Sequence, residues 1–140
     1  MVNIKNDYQL AASKTWLKEF KKALEEARWD SRDLAPRLRQ AQVEGIQSQI
    51  KDLEAEIQEY ESLKKTAPEN VMINSLEELP EALVRVRIAR HLTQDQLAEK
   101  LGVKPQQVQK WEASTYQRAS YASILKVANA LGIKMKGGAE

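Results

Sequence analysis

The sequence contains no cysteine and a single histidine, His91. Disulfides, thiolate metal sites and thiol nucleophiles are thereby excluded, and one imidazole leaves no pair for a zinc site or a His-based triad. With no phosphate-binding loop either, the chain reads as a non-enzyme that needs no metal or cofactor. Glycine (5 residues) and proline (4) are scarce, while Leu, Ala, Glu, Lys, Gln and Arg abound. These side chains lose little freedom in a helix, so an all-α fold with very little strand is expected. There is no run of about eighteen apolar residues. The stretch from Met1 to Asp7 also lacks the apolar core of a secretory signal, so a cytoplasmic protein with no membrane partner is expected. At 140 residues the chain has room for one domain or two small ones.

The pattern divides into two halves, an arm over 1–70 and a second domain over 71–140. In the first half, Ser13, Leu17, Phe20, Leu24 and Ala27 alternate at spacings of four and three, with Trp16 and Ala23 widening the stripe. That is an amphipathic helix over roughly residues 9 to 28. Trp29 to Pro36 breaks it, because Asp and Ser compete for backbone donors and Pro36 cannot sit inside a helix. Val43, Ile46, Ile50, Leu53, Ile57 and Tyr60 then form a heptad seam on a second helix, about 37 to 65. The seam needs a partner, either the first helix as an antiparallel hairpin or a second copy as a coiled coil. Trp16, Phe20 and Trp111 lie at core spacing and are expected to pack.

Thr66 to Asn70 serves as the linker, with Pro68 stopping the long helix. Ser75 and Glu78 have capping-box spacing, and Pro80 suits the first turn of a new helix. Short apolar groups follow: Ala82, Leu83, Val86 and Ala89, then Leu97, Ala98 and Leu101, then Val108 and Trp111. Thr93 and Gln96 form a capping box, Gly102 stops that helix, and Pro105 starts the next almost at once. Two helices joined so tightly make a helix-turn-helix.

From these residues the chain resembles the Cro and phage-repressor (Xre-like) helix-turn-helix family. Leu92-Thr93-Gln94-Asp95-Gln96-Leu97-Ala98-Glu99-Lys100-Leu101-Gly102-Val103 carries the match, followed by Val108, Trp111-Glu112 and the run Leu125 to Gly132. Leu79 to Leu83 and Trp111 to Ser120, behind a helical N-terminal half, are similar to HigA-type antitoxins and related regulators. Two departures stand out. His91 occupies a position where glycine is usual, which implies a left-handed residue, and Lys104 replaces the usual hydroxyl cap.

With Val108 and Trp111 buried, Gln106 points outward and Gln109 and Lys110 flank it. Gln suits adenine and Lys suits guanine or phosphate. The resemblance implies base contacts at Pro105, Gln106, Gln107 and Lys110. It also implies a phosphate contact at Gln94, and others at Tyr116, Gln117 and Arg118 in the following loop; Lys104 is a further candidate. Arg85, Arg87 and Arg90 are read as a solvated or phosphate-facing side.

Charge agrees with this. Residues 1–74 hold 12 basic and 13 acidic side chains, whereas the window 85–136 holds 10 basic and 3 acidic, a net charge of +7. That is the footprint of a partner with a phosphate backbone. The expected function is a sequence-specific regulator of transcription, a repressor, binding double-stranded DNA at a palindromic operator as a homodimer. The alternative is an antitoxin that neutralises a toxin partner and autoregulates its operon.

Overall fold

The computed structural model describes residues 2–29 and 35–140, and among these every regular element is helical. A short extended segment leads into α1 (Asp7–Arg28), which is followed by α2 (Pro36–Lys65). Single 3-10 turns at Pro68–Asn70 and Leu76–Glu78 connect to four short helices: α3 (Leu79–Ala89), α4 (Gln94–Leu101), α5 (Pro105–Ala113) and α6 (Tyr121–Ala130). The expected break between the long helices falls largely on residues 30–34, outside the described residues. At its edges, Trp29 closes α1 and Pro36 occupies the first turn of α2.

The first two helices form an antiparallel hairpin, so the seam on α2 is taken by α1. Asp7 meets Lys64 at 2.8 Å, Lys14 meets Glu61 at 2.9 Å and Lys21 meets Glu54 at 3.5 Å, one partner number rising as the other falls. These exposed pairs set register more than stability. Apolar burial does the holding, with Ala27, Ile57, Tyr60 and Leu63 inside. Asn6 starts α1 by accepting from the Gln9 N–H at 2.7 Å. Trp16 departs from expectation: it is 60 % exposed, leaning on half-buried Phe20 with ring centroids 6.0 Å apart. It stands at the flank of the stripe, where a periodic pattern does not separate core from rim.

The linker at 66–70 marks a change in helix length without a break in the core. Val2 and Ile4 from the N-terminal segment, Ile57, Tyr60 and Leu63 from α2, and Leu83, Leu97, Val108, Val127 and Leu131 from the second half form one buried cluster. The capping box expected at Ser75 is replaced by another arrangement. Ser75 makes no side-chain cap, and the Glu78 carboxylate accepts from the Asn74 N–H at 2.7 Å. Glu78 therefore still reaches back, one residue further than expected.

The four short helices share one way of stopping. The amides of Leu92, Val103, Tyr116 and Ile133 each donate to the carbonyl five residues earlier, on Arg87, Ala98, Trp111 and Ala128. This closure needs a left-handed residue just before the donor. Gly102 (φ 69°) and Gly132 (φ 73°) fill that place without strain, and a Cβ on Gly132 would come within 3.0 Å of the Arg90 guanidinium. His91 (φ 58°) and Thr115 (φ 51°) fill it as L-residues, each at roughly 1–2 kcal/mol. The left-handed conformation expected of His91 is thus present.

Asp7 joins the hairpin to itself: Lys64 Nζ and the Tyr60 hydroxyl both donate to its Oδ1 at 2.8 Å. These hydrogen bonds, that from Lys64 first, hold the Asp7 carboxyl below the ordinary carboxylate range. A depressed carboxyl stabilises the fold above its unfolded pKa, about 3.9, and the contribution disappears as pH falls through the lower folded value. Asp7→Asn should therefore be less stable than the parent at neutral pH, with the gap closing below about pH 4. Urea midpoints measured from pH 7 down to pH 2.5 check this.

Candidate nucleic-acid interface

The capping box at Thr93 is present in full: Thr93 Oγ1 accepts from the Gln96 N–H at 3.0 Å, and Gln96 Oε1 accepts from the Thr93 N–H at 2.9 Å. Gly102, Val103 and Lys104 then turn the chain into α5, where Pro105 stands in the first turn. Lys104 caps this helix with no side-chain hydrogen bond, as its substitution for a hydroxyl residue implies.

Two residues decide how α5 is rotated about its axis. Val108 and Glu112, one turn apart, are both fully buried. Glu112 lies opposite Arg87 of α3, itself 2 % exposed, in a bidentate pair with Nε to Oε2 at 2.6 Å and Nη2 to Oε1 at 2.8 Å. Arg87 further donates from Nη1 to the Leu92 carbonyl at 2.8 Å and from Nη2 to the Lys5 carbonyl at 2.6 Å. Gln94 completes the cluster, its Nε2 donating to Glu112 Oε1 at 2.9 Å. A planar guanidinium fork suits this bidentate geometry, and nearly all its donors are used.

Three expectations are corrected, at Arg87, Gln94 and Tyr116. Arg87 belongs to the core and not to a solvated face. Arg90 is exposed, as expected, while its Nε donates to the Leu131 carbonyl at 2.6 Å and ties α3 to the end of α6; Arg85 is half-buried. Gln94, expected at a phosphate, is buried and turned inward toward Glu112, with its oxygen accepting from Asn6 Nδ2 at 3.4 Å. Tyr116, also expected at a phosphate, is 1 % exposed, and its ring stacks on half-buried Trp111 with centroids 6.0 Å apart. Burial raises its phenol above the ordinary tyrosine value, with the Glu112 charge adding to the shift.

The remaining candidates lie outward. Gln106, Gln109 and Lys110 are exposed on α5, Gln106 and Lys110 opposite Val108 and Glu112 and Gln109 on the flank, while Gln107 is half-buried. Lys104, Gln117 and Arg118 are exposed just before and after the helix. The outward face of α5 therefore presents amides and an ammonium, with no carboxylate among Gln106, Gln109 and Lys110.

Sequence reading missed Arg87, Glu112 and the N-terminal segment as parts of one cluster. A signal existed: Arg87 falls four residues after buried Leu83, and Glu112 four after Val108, so each apolar stripe ends on a charge of opposite sign. Burial also lowers the half-buried Lys5 ammonium below the ordinary lysine value, opposed by Glu112 and reinforced by Arg87.

A capped helix, a left-handed stop and a second short helix with a polar outward face define a helix-turn-helix module. Residues 83–137, from within α3 to beyond α6, match the helix-turn-helix family model. This part of the chain belongs to the Cro/C1-type, Xre-like family, and the protein is a DNA-binding helix-turn-helix regulator. No curated protein and no solved structure matches the chain. Among the described residues, no helix is long and apolar enough to cross a membrane.

Removing one member of a buried ion pair leaves the other charge unpaired, which costs about 3–5 kcal/mol. Glu112→Ala should show a loss of that size in urea unfolding. The apolar double replacement Arg87→Met with Glu112→Leu should recover most of it, because neither charge then remains inside.

Proposed function

We propose that the protein is a sequence-specific repressor that binds a palindromic operator as a homodimer, one α5 entering the major groove in each half-site. The observation that carries this reading is the outward set Gln106, Gln109 and Lys110 on a helix whose rotation is fixed from behind by Glu112. Gln offers a donor and an acceptor to adenine, and Lys donates to guanine or phosphate. Lys104, Gln117 and Arg118 supply backbone contacts around the helix, and the net charge of +7 over residues 85–136 draws the module to DNA. Half-sites then lie about 34 Å apart. With the α2 seam occupied by α1, the second copy pairs through α6, where Tyr121 and Leu125 stand exposed one turn apart. Repression follows from occupancy of the promoter.

Gln106→Ala with Lys110→Ala should reduce discrimination between the selected site and its variants by about 1–3 kcal/mol for each bidentate hydrogen-bonded pair removed. Mobility shifts on a site obtained by selection from random DNA measure this. Unchanged discrimination would rule out α5 as the reading element.

A second reading, a HigA-type antitoxin, is favoured by the arm. Trp16, 60 % exposed, and its half-buried neighbour Phe20 form an apolar pair on α1 that the repressor reading leaves unused. On this reading they hold a toxin while α5 autoregulates the operon. Co-expression with the product of the adjacent gene should then relieve growth arrest, and Trp16→Ala should weaken the relief without altering DNA binding.

A further inference from the structure

A groove of about 530 Å³ opens between the start of α1 and the outer flank of α5. Asn3, Tyr8 and Gln9 line one side, Gln94 and Gln109 line the other, and Lys5 also contributes. Gln109 is exposed on the flank beside Gln106 and Lys110, so a polymer lying along their face meets the groove directly.

The lining chemistry is selective. It contains no carboxylate and consists of amides, a phenol, one lysine and the Ala113 methyl. Of the nearby acids, Asp7 is engaged with Lys64 and Tyr60, while Glu56 of α2 accepts from the Asn3 amide at 3.1 Å at the edge of the groove. Gln9 has a fixed sense, because its Oε1 accepts from the Lys5 N–H at 2.8 Å, which leaves its Nε2 hydrogens as donors. Tyr8 extends an 84 % exposed phenol from the first turn of α1. Gln94, where the family places a phosphate contact, is turned inward by Glu112 and Asn6. The segment carrying Asn6 also carries Tyr8 and Gln9, so these donors stand across the groove from Gln94, whose own amide is taken up by Glu112 and Asn6.

We infer that this groove receives the sugar-phosphate backbone of the DNA strand bordering the major groove that α5 enters, with Tyr8 and Gln9 donating to phosphate. The inference rests on the DNA-binding reading of α5 and extends the interface to residues outside the matched segment 83–137. Such contacts position the protein and carry no base preference of their own.

The test uses the full chain on its selected DNA site, comparing Gln9→Glu and Tyr8→Glu with Gln47→Glu, the same change in charge at an exposed position on α2. Gln9→Glu keeps the acceptor for the Lys5 amide, so the start of α1 is preserved while the outward donor becomes an anion. Affinity should fall about tenfold or more in each groove variant, equally on every sequence bound, because like charges are brought together. Hydroxyl-radical protection of the sugars flanking the half-site should disappear with it, and Gln47→Glu should bind as the parent does. Parental affinity and footprint in Gln9→Glu would overturn the inference while leaving α5 intact as the reader. A changed base preference, or loss of binding to a protein partner with DNA affinity retained, would also overturn it. If the parent binds no DNA at all, the reading of α5 fails and this inference fails with it.

Discussion

The rotational setting of α5 depends on the buried pair Arg87–Glu112. Moving each ion out of water costs several kcal/mol, and the mutual attraction offsets this only when the remaining donors and acceptors are also satisfied. Here they are, by the Leu92 and Lys5 carbonyls on one side and the Gln94 amide on the other. Apolar residues of similar volume could supply comparable stability, but a fork with two defined distances supplies direction. Successive residues on α5 are separated by about 100°, so a rotation by one position would replace Gln106, Gln109 and Lys110 with a different outward set. The network therefore sets which residues α5 turns outward, by holding the helix in one rotational setting against α3, the α3–α4 turn and the first residue of α4.

Helices this short need that outside support. The four helices of the second half span 11, 8, 9 and 10 residues, lengths at which isolated helices are marginal in water. Their ends are held by side-chain caps at Thr93 and Ser120 and by the repeated five-residue backbone closure. That closure was visible in the sequence wherever glycine supplied the left-handed residue, as at Gly102. At Thr115 nothing in the composition signals it; Thr115 and Tyr116 are left-handed in succession, with the Tyr116 ring buried against Trp111.

The same division runs through the rest of the molecule. Features set by local chemistry were legible: Pro36 and Pro105 at helix starts, the Thr93–Gln96 box, the stop at Gly102, the seam on α2 and the outward side of α5. Features set by a distant partner were not. Charge puts Arg87 at the surface and the family resemblance puts Gln94 and Tyr116 there, and only the meeting of α3, α4 and α5 around Glu112 turns the first two inward. Ser75 shows the limit of a motif read by spacing, since the carboxylate of Glu78 has more than one backbone amide within reach and bonds that of Asn74. Val2 and Ile4 carry no usable periodicity because they lie in a short extended segment, yet both are buried in the central cluster.

That segment bears on what the folding unit is. Arg87 has five N–H groups, and the Lys5 carbonyl accepts one from Nη2 in addition to the bond that Nη2 makes to Glu112. The segment 83–137 taken alone would leave that hydrogen without its carbonyl partner and would expose the apolar surface that Val2, Ile4 and the end of α2 now cover. Residues more than eighty positions apart thus complete one polar cluster and one core. The N-terminal segment runs directly into α1, so the root of the hairpin is tied to Arg87 through the Lys5 carbonyl and to Glu112 through Asn6 and Gln94. The change of helix length at 66–70 separates two shapes, but the packing and the hydrogen bonds that set α5 pass across it.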